Sequence, residues 1–384
     1  MKNTIKMSLV AALAVAGLST SASAGGLENA IKGVSISGKM EVEYDYESTN
    51  AGTPGATDQN SNSWDYDLDV TAKVPVNDQV TAVIGMEADH GKDVHTVVDT
   101  SNSKSSVDVS KLYFMYANGP VTTMIGKQGM AGAPWFDDEK ANGLVGLYNA
   151  GPVTLAAAHF TGINAKVGDG VINTGGGVAA IADEDVSALA VIGSMGPVNA
   201  SLWYAHLSNT ADSFSVNANA TFGMFGFDLT HTDTDYSDFY ASGTQGGTDA
   251  SLTKFVATAD LGMFDLRAGY GTTNDDANRG AGVDLTDDGD AANNFASEQL
   301  RIDDLRDSDA FLIGATLTID AWKFDLSHLD GEYKPGNADV DFEETLLDVE
   351  YKMSKNFTID AFYSTAEVGN ADMDSASVAL EYKF

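Results

Sequence analysis

The chain has 384 residues, and its 56 acidic side chains outnumber its 21 basic ones, giving a formal net charge of -35 at pH 7. This excess of negative charge excludes nucleic acid as a partner, because phosphate binding requires a basic face. The chain contains no cysteine, which excludes disulfides and thiolate metal or redox sites. Its hydrophobic content of 43% is sufficient for a packed core, so the composition does not indicate disorder.

The first 24 residues have the pattern of a signal peptide. Lys2 and Lys6 precede an apolar run over residues 7–18, and Ala22-Ser23-Ala24 forms a small-x-small cleavage site. The apolar run is shorter than the roughly 18 residues that a spanning helix requires. We therefore predict a cleaved signal peptide over residues 1–24, export from the cytoplasm, and a single mature domain over residues 25–384.

The mature sequence alternates between apolar and polar residues. Met40, Val42 and Tyr44 alternate with Glu41 and Glu43, and the same pattern recurs from the second predicted strand to the C-terminus. A period of two is typical of a β-strand with one apolar face and one polar face. The sequence therefore predicts an all-β protein.

Two kinds of connection separate the predicted strands. Short turns lie at residues 76–78, 118–120, 150–152 and 195–197. Longer polar segments lie at about residues 47–63, 90–106, 130–142, 161–185, 238–252, 272–308 and 330–343. Short turns on one side and long loops on the other are typical of outer-membrane barrels.

We predict a transmembrane, antiparallel, up-and-down β-barrel with short periplasmic turns and long extracellular loops. The expected number is 18 strands, with 16 as the alternative, because residues 107–117 and 143–150 alternate poorly. A soluble β-sandwich or β-helix is the other fold to consider. It would have to bury Tyr44, Trp64 and Trp322, which a membrane barrel uses in its interfacial aromatic girdles.

No catalytic motif is present in the sequence. The six histidines form no HExxH pattern, and no Gly-x-Ser-x-Gly elbow, Walker A loop or GxGxxG fingerprint occurs. An outer-membrane phospholipase is the enzymatic alternative, and it would need a serine and a histidine paired across strands. We predict that the protein is not an enzyme and that it has no obligatory cofactor.

Three segments resemble the major outer-membrane porins of campylobacter-type bacteria. Residues 27–38 (LENAIKGVSISG) resemble the mature N-terminus of this family, and residues 126–128 resemble the end of one of its strands. A following segment that contains Trp135, Asp137 and Gly143 is also similar.

The resemblance implies an 18-stranded, trimeric, cation-preferring porin whose third loop folds into the channel. It also implies that the terminal Phe384 is the assembly signal that outer-membrane barrels share. The expected partners are outer-membrane lipid and lipopolysaccharide, two further copies of the chain, and small hydrophilic solutes and cations.

The polar strand positions are predicted to line the lumen. The expected wall residues are Lys39, Glu41, Glu43, Asp65, Asp67, Asp69, Lys73, Glu87, Arg267, Lys323 and Lys352. The loop after the fifth strand carries Asp137, Asp138, Glu139 and Lys140, which are the predicted pore constriction. Acidic groups on this loop that face basic groups on the wall would create a transverse field across the channel. The alternative is that residues 137–140 are only a solvated acidic loop tip.

The longest predicted loop offers a weaker hypothesis of a divalent cation site. Asp284, Asp287, Asp288 and Asp290 loosely resemble a calcium-binding loop, although Thr286 does not fit the ligand pattern. Adaptation to a salty medium would also explain such acidic loops.

The predicted function is a water-filled, cation-preferring porin for passive diffusion of small hydrophilic solutes and ions. The alternative is a surface adhesin or receptor barrel whose acidic loops bind partners, with the pore incidental.

Overall fold

The computed structural model describes most of the chain from residue 33 onward. The described ranges are 33–50, 59–90, 106–130, 133–136, 140–163, 185–236, 249–274, 295, 297–302, 305, 307–334 and 338–384. The predicted signal peptide lies outside these ranges. Within them, no helix has the length and apolar character that crossing a membrane requires.

The described residues form one sheet of eighteen antiparallel strands. In chain order these are β1 Ser35–Asn50, β2 Gln59–Pro75, β3 Val80–His90, β4 Ser106–Asn118, β5 Val121–Gly129, β6 Lys140–Asn149, β7 Val153–Ile163, β8 Val186–Met195, β9 Val198–Leu207, β10 Ala211–Phe222, β11 Phe225–Tyr236, β12 Asp249–Asp260, β13 Phe264–Thr273, β14 Asp309–Ile319, β15 Trp322–Tyr333, β16 Val340–Lys352, β17 Phe357–Val368 and β18 Ala371–Lys383. Each strand pairs with the next, and β1 also pairs with β18. The prediction of an 18-stranded barrel is confirmed, and the 16-stranded and β-sandwich alternatives are wrong.

Alternation along the strands separates an outer wall from an inner wall. On β2, Trp64, Tyr66 and Leu68 are exposed on the outside, whereas Asp65 and Asp67 between them face the inside and are half-buried. Because side chains on a strand alternate between the two faces, closure of the sheet puts one set outside and the other inside. Many of the large apolar side chains of the strands are therefore displayed on the outer wall.

Aromatic residues form pairs on the outer wall. The ring centroids of Tyr44 and Trp64 lie 5.0 Å apart, and those of Trp322 and Tyr351 lie 4.4 Å apart. Aromatic rings on the outside of a membrane barrel are typical of the interfaces between lipid and water.

Two β-bulges interrupt the register of the sheet. The register between β3 and β4 shifts between Gly85 and Glu87, and that between β6 and β7 shifts between Ala141 and Asn142. A bulge adds one residue to one strand, so it interrupts the alternation of outward and inward positions. The first bulge lies within residues 107–117 and explains their poor alternation. Residues 143–150 pair in regular register, and they alternate poorly because the inward Val145 and Leu147 are apolar as well. Neither stretch changes the strand count.

The barrel closes between its first and last strands. Gly38 and Phe384 exchange both backbone hydrogen bonds, each with an N–O distance of 3.0 Å. The Phe384 ring lies over Gly38, where a Cβ atom would be 2.5 Å from that ring and 2.5 Å from the Asp69 carbonyl oxygen. The Phe384 ring also stacks on Tyr382. Only glycine fits at position 38 beneath the terminal ring.

The Phe384→Ala variant should give less folded barrel in the outer membrane, with export to the periplasm unchanged. The substitution removes the ring that covers Gly38 and stacks on Tyr382 at the closure of the barrel. The measurement is the fraction of heat-modifiable protein in the outer-membrane fraction. The control is Phe311→Ala, which removes an exposed outer ring from β14. Equal yields of the two variants would contradict this role of Phe384.

The two walls should respond oppositely to an added charge. Leu68→Arg should impair insertion by about 2–4 kcal/mol if the residue lies near the bilayer midplane, because Leu68 faces outward. Thr71→Arg on the same strand should be tolerated, because Thr71 faces inward and its hydroxyl donates to Asp69 at 3.3 Å. Insertion yields of the two variants provide the comparison, and equal yields would reverse or abolish the assignment of faces.

Candidate functional site

The barrel interior is the candidate functional site. The predicted wall residues all occupy inward-facing strand positions on β1, β2, β3, β13, β15 and β16. These residues are Lys39, Glu41, Glu43, Asp65, Asp67, Asp69, Lys73, Glu87, Arg267, Lys323 and Lys352. Their neighbours of opposite parity carry the exposed apolar side chains of the outer wall.

Ion pairs connect neighbouring strands inside the barrel. Lys39 Nζ lies 3.0 Å from Asp67 Oδ2 across β1 and β2. Lys111 Nζ lies 3.0 Å from Asp69 Oδ2, so a side chain of β4 reaches β2. Sequence reasoning misses Lys111, because the bulge between β3 and β4 disturbs the parity from which inward residues are assigned.

A third ionic contact joins β13 to β15. The Arg267 guanidinium donates through both terminal nitrogens to the Asp325 carboxylate, at 2.5 and 2.7 Å. The Thr316 hydroxyl donates to the same carboxylate. A bidentate arginine–carboxylate pair has fixed geometry as well as charge compensation, so it holds these strands in register from the inside.

Elsewhere the register brings carboxylates together. At several inward positions, cross-strand pairs place two acidic residues directly opposite each other, including Glu41 with Asp67, Glu43 with Asp65, Asp325 with Asp348, and Glu350 with Asp360. Like charges in directly opposed positions destabilise a sheet. Lys39, Arg267 and Lys352 compensate three of these pairs in part, the last through a contact of 3.0 Å with Glu350. The Ser377 hydroxyl donates to Glu43 at 2.6 Å. The interior therefore contains regions of concentrated negative charge.

Residues 133–136, the described part of the connection between β5 and β6, lie inside the barrel. Trp135 and Phe136 are fully buried, and Lys140 at the start of β6 contacts the Glu87 carboxylate at 2.7 Å. Of the predicted constriction, only Lys140 belongs to the described residues. Asp137, Asp138 and Glu139 lie outside them.

A second connection also contributes buried residues to the interior. Phe295, Leu300 and Ile302, between β13 and β14, are buried in the same hydrophobic cluster as Trp135. The backbone of this segment is bonded to the inward carboxylate of Glu344 on β16. Sequence reasoning misses both features, although Glu344 has the same parity as Asp348 and Glu350.

The inner wall is apolar where these connections lie. On β8, Val186, Ala188 and Ala190 face inward and are buried, while Ser187 and Leu189 between them belong to the outer wall. Strands with two apolar faces do not show the simple alternation of a water-lined barrel. The interior thus combines an apolar part, covered by the connections, and a charged part.

Outside the strands, Lys334 links two connections. Its ammonium lies 3.1 Å from Asp307 and 3.6 Å from Asp339. The hydrogen bond with Asp307 raises the pKa of Lys334 above its usual value. The group is therefore charged at neutral pH, and it ties the end of the β13–β14 connection to the β15–β16 connection.

Possible metal ligands in the described residues occur on the outer wall. His328, Asp330 and Glu343 bring one ligand atom each within 4.8 Å of the others. They occupy outward positions, whereas the adjacent Leu329 and Phe342 are buried on the inner face, so these three residues are separate from the lumen. The predicted divalent site at Asp284, Asp287, Asp288 and Asp290 lies outside the described residues.

A closed antiparallel barrel with an apolar exterior and a charged interior is the architecture of an outer-membrane channel protein. The family model of the Campylobacter major outer membrane protein matches residues 1–384, and the chain belongs to this family. The resemblance predicted from residues 27–38 and 126–128 is thereby confirmed. The protein is located in the outer membrane and has the fold of a porin channel.

Solved structures support the fold. OccK9 (OpdG) of Pseudomonas aeruginosa has a TM-score of 0.72 at 15% identity, covering 92% of this chain and 99% of that chain. OccAB4 of Acinetobacter baumannii has a TM-score of 0.69 at 10% identity, covering 91% of this chain and 98% of that chain. At these identities the similarity is one of fold alone. No curated protein matches the sequence.

The contact between Arg267 and Asp325 generates a stability prediction. Asp325→Asn should destabilise the barrel by about 1–3 kcal/mol, because it leaves the guanidinium without its bidentate carboxylate. The measurement is the temperature at which the folded band converts to the unfolded band in detergent. Asp265→Asn is the matched control, since Asp265 lies on the same face of β13 as Arg267 and is not part of this contact. Equal conversion temperatures would show that the pair does not stabilise the barrel.

Proposed function

We propose that the protein is a cation-preferring porin for passive diffusion of small hydrophilic solutes and ions, without enzymatic activity. The observation that carries the proposal is the set of carboxylate pairs that face each other across inward strands, such as Glu43 with Asp65 and Glu350 with Asp360. These pairs add to a chain whose net charge is already strongly negative.

Opposed carboxylates favour cations for an electrostatic reason. Two negative charges held close together repel each other, and a passing cation reduces that repulsion. At physiological ionic strength the Debye length is about 8 Å, so charges on the wall act on ions over a short range. A wall with this arrangement raises the local concentration of cations and lowers that of anions.

The connection between β5 and β6 is the proposed constriction. Phe136 and Lys140 flank residues 137–139. Phe136 is buried inside the barrel, and Lys140 is held on the inner wall by Glu87. We propose that Asp137, Asp138 and Glu139 supply negative charge between these two fixed points. Opposite basic groups on the wall would complete a transverse field that sorts permeants by charge and dipole.

The trimeric state and the lipid partners are also proposals. They rest on the family resemblance and on the apolar outer wall, which requires lipid or another subunit to cover it. Extraction from outer membranes should yield an oligomer that resists sodium dodecyl sulfate at low temperature and dissociates on heating. Bound lipopolysaccharide in the same preparation would support the lipid assignment.

The divalent cation site at Asp284, Asp287, Asp288 and Asp290 is retained as a proposal about the long acidic connection. A bound ion that ties this connection together would raise the conversion temperature of the folded barrel when calcium is added. Chelation should reverse the increase. The variant in which all four residues are changed to Asn should not respond to calcium.

Selectivity tests the proposed function directly. In a bilayer with a salt gradient, the reversal potential should indicate cation preference, and about 1 M salt should weaken it because the Debye length falls to about 3 Å. A single-channel conductance that cannot be detected would instead favour the adhesin or receptor alternative.

Charge-neutralising variants should distinguish the contribution of the loop to cation selectivity from that of the wall. The triple change Asp137→Asn, Asp138→Asn and Glu139→Gln preserves side-chain size, so a lower cation preference would report charge rather than a wider opening. Glu43→Gln with Asp65→Asn tests one opposed wall pair in the same way. Glu343→Gln, which removes a charge from the outer wall, is the control and should retain the parental reversal potential. If the triple variant also retains it, residues 137–139 do not form the selectivity constriction.

A further inference from the structure

Glu344 holds an unusual position inside the barrel. It faces inward on β16 and is 2% exposed. Its carboxylate accepts hydrogen bonds from three consecutive backbone N–H groups, those of Glu298 at 2.8 Å, Gln299 at 3.1 and 3.2 Å, and Leu300 at 3.0 Å. The Ser364 hydroxyl of β17 donates to the same carboxylate at 2.6 Å. One side chain of the wall thus binds the backbone of a distant connection.

The Glu344 carboxylate and the backbone N–H groups of residues 298–300 depend on each other. Successive N–H groups that converge on one point form an anion-binding nest, and bonds to an ionised acceptor are stronger than neutral ones. A buried carboxylate needs such donors, because its charge is otherwise poorly solvated. Three backbone N–H groups of residues 298–300 and the Ser364 hydroxyl supply such donors to Glu344. Removing the carboxylate would leave three N–H groups without their acceptor.

Side chains of the same segment fit a complementary part of the wall. Gln299 Nε2 donates to Ser364 Oγ at 2.9 Å. Phe295 and Ile302 pack over Gly271 of β13, where a Cβ atom would be 2.8 Å from Phe295 Cζ and still closer to the Ile302 side chain. The absence of a side chain at position 271 therefore makes room for the segment.

The C-terminal end of the connection is fixed separately. The Thr273 backbone N–H donates to the Ser308 carbonyl at 3.0 Å, and the hydroxyls of the two residues lie 2.9 Å apart. The Thr273 hydroxyl also lies close to the Leu305 carbonyl. These bonds hold Leu305 and Ser308 at the end of β13. Loss of the contact at Glu344 would therefore free residues 297–302 without detaching Leu305 and Ser308.

We propose that Glu344 is the positioning residue that docks residues 297–302 onto the inner wall, and that this docking limits the open area of the channel. The apolar contacts of Phe295 and Ile302 contribute affinity but little orientation. The three directional bonds to one carboxylate set where the segment lies. The second half of the proposal rests on the channel function, whereas the first half concerns the structure alone.

The native chain has no cysteine, so an introduced cysteine in residues 297–302 is the only thiol that a maleimide can label. Leu300→Cys is suitable because the Leu300 side chain is buried, while its contact with Glu344 is made by the backbone N–H and survives the substitution. In the folded barrel, reaction of this thiol with a water-soluble maleimide should be slow. Adding Glu344→Ala should accelerate it roughly tenfold or more, because labelling follows the undocked population.

The matched control is Glu343→Ala in the same cysteine background. Glu343 is the neighbouring residue on the outer wall, so this change removes a carboxylate from the same strand without touching the segment. It should leave the labelling rate unchanged. A labelling rate in Glu344→Ala that equals that of the Glu343→Ala control would overturn the proposal.

Two further variants keep the test valid if Glu344→Ala does not fold. Glu344→Gln retains size and one acceptor oxygen, and it should label at an intermediate rate. Gly271→Val leaves the carboxylate intact but occupies the space of Phe295 and Ile302, and it should also accelerate labelling. Parental rates in both folded variants would count against docking at this site.

Single-channel recording tests the second half. The Glu344→Ala channel should have a larger and more variable conductance than the parent, whereas Glu343→Ala should match the parent. A labelling rate that rises while conductance is unchanged or falls would show that the docked segment does not limit the open area. A parent without measurable conductance would refute the proposed channel function, and the labelling experiment would still decide whether Glu344 docks the segment.

Discussion

The structure depends on one constraint, which is that every backbone N–H and C=O group inside a membrane must find its partner within the protein. A sheet meets this requirement only when it has no free edge, and here β1 pairs with β18 from Lys39 opposite Lys383 to Asn50 opposite Asp372. Closure then fixes the side-chain pattern. Every strand must present one face to lipid and the other to the interior, so a single period of two determines both the apolar exterior and the charged interior.

Inside the barrel, polar groups find their partners in two different ways. In the charged part, ion pairs such as Arg267 with Asp325 satisfy polar groups. In the apolar part, connections cover the wall, and their backbone groups must be satisfied away from bulk water. Glu344 meets that need for residues 298–300 by using a charge as an acceptor for several amides. A connection can therefore lie inside a barrel only where the wall supplies both apolar contacts and a suitable acceptor.

The difference between the wall and the connections also explains which features the sequence alone predicts. Strand parity is a local property, so Leu68 and Asp67 can be assigned to opposite faces and the eighteen strands can be counted. The docking of the β13–β14 connection is not local, because Gln299 and Ser364 are 65 residues apart. Lys111 is missed for a smaller reason, a bulge that shifts the parity of its strand. Periodicity thus predicts the wall well and the contents of the lumen poorly.

The opposed carboxylates on the inner wall are informative because stability alone would not select them. Replacing one member of each pair by a neutral residue would relieve repulsion without disturbing the ladder of backbone bonds that holds the barrel together. That ladder is extensive, so the barrel tolerates a local electrostatic penalty that a small soluble domain would not. The basic residues are placed beside some pairs and not others, since Lys39 contacts Asp67 while Glu43 and Asp65 face each other one step further along the strands. The wall is therefore divided into compensated and uncompensated regions, and the uncompensated ones are where mobile cations lower the electrostatic energy most.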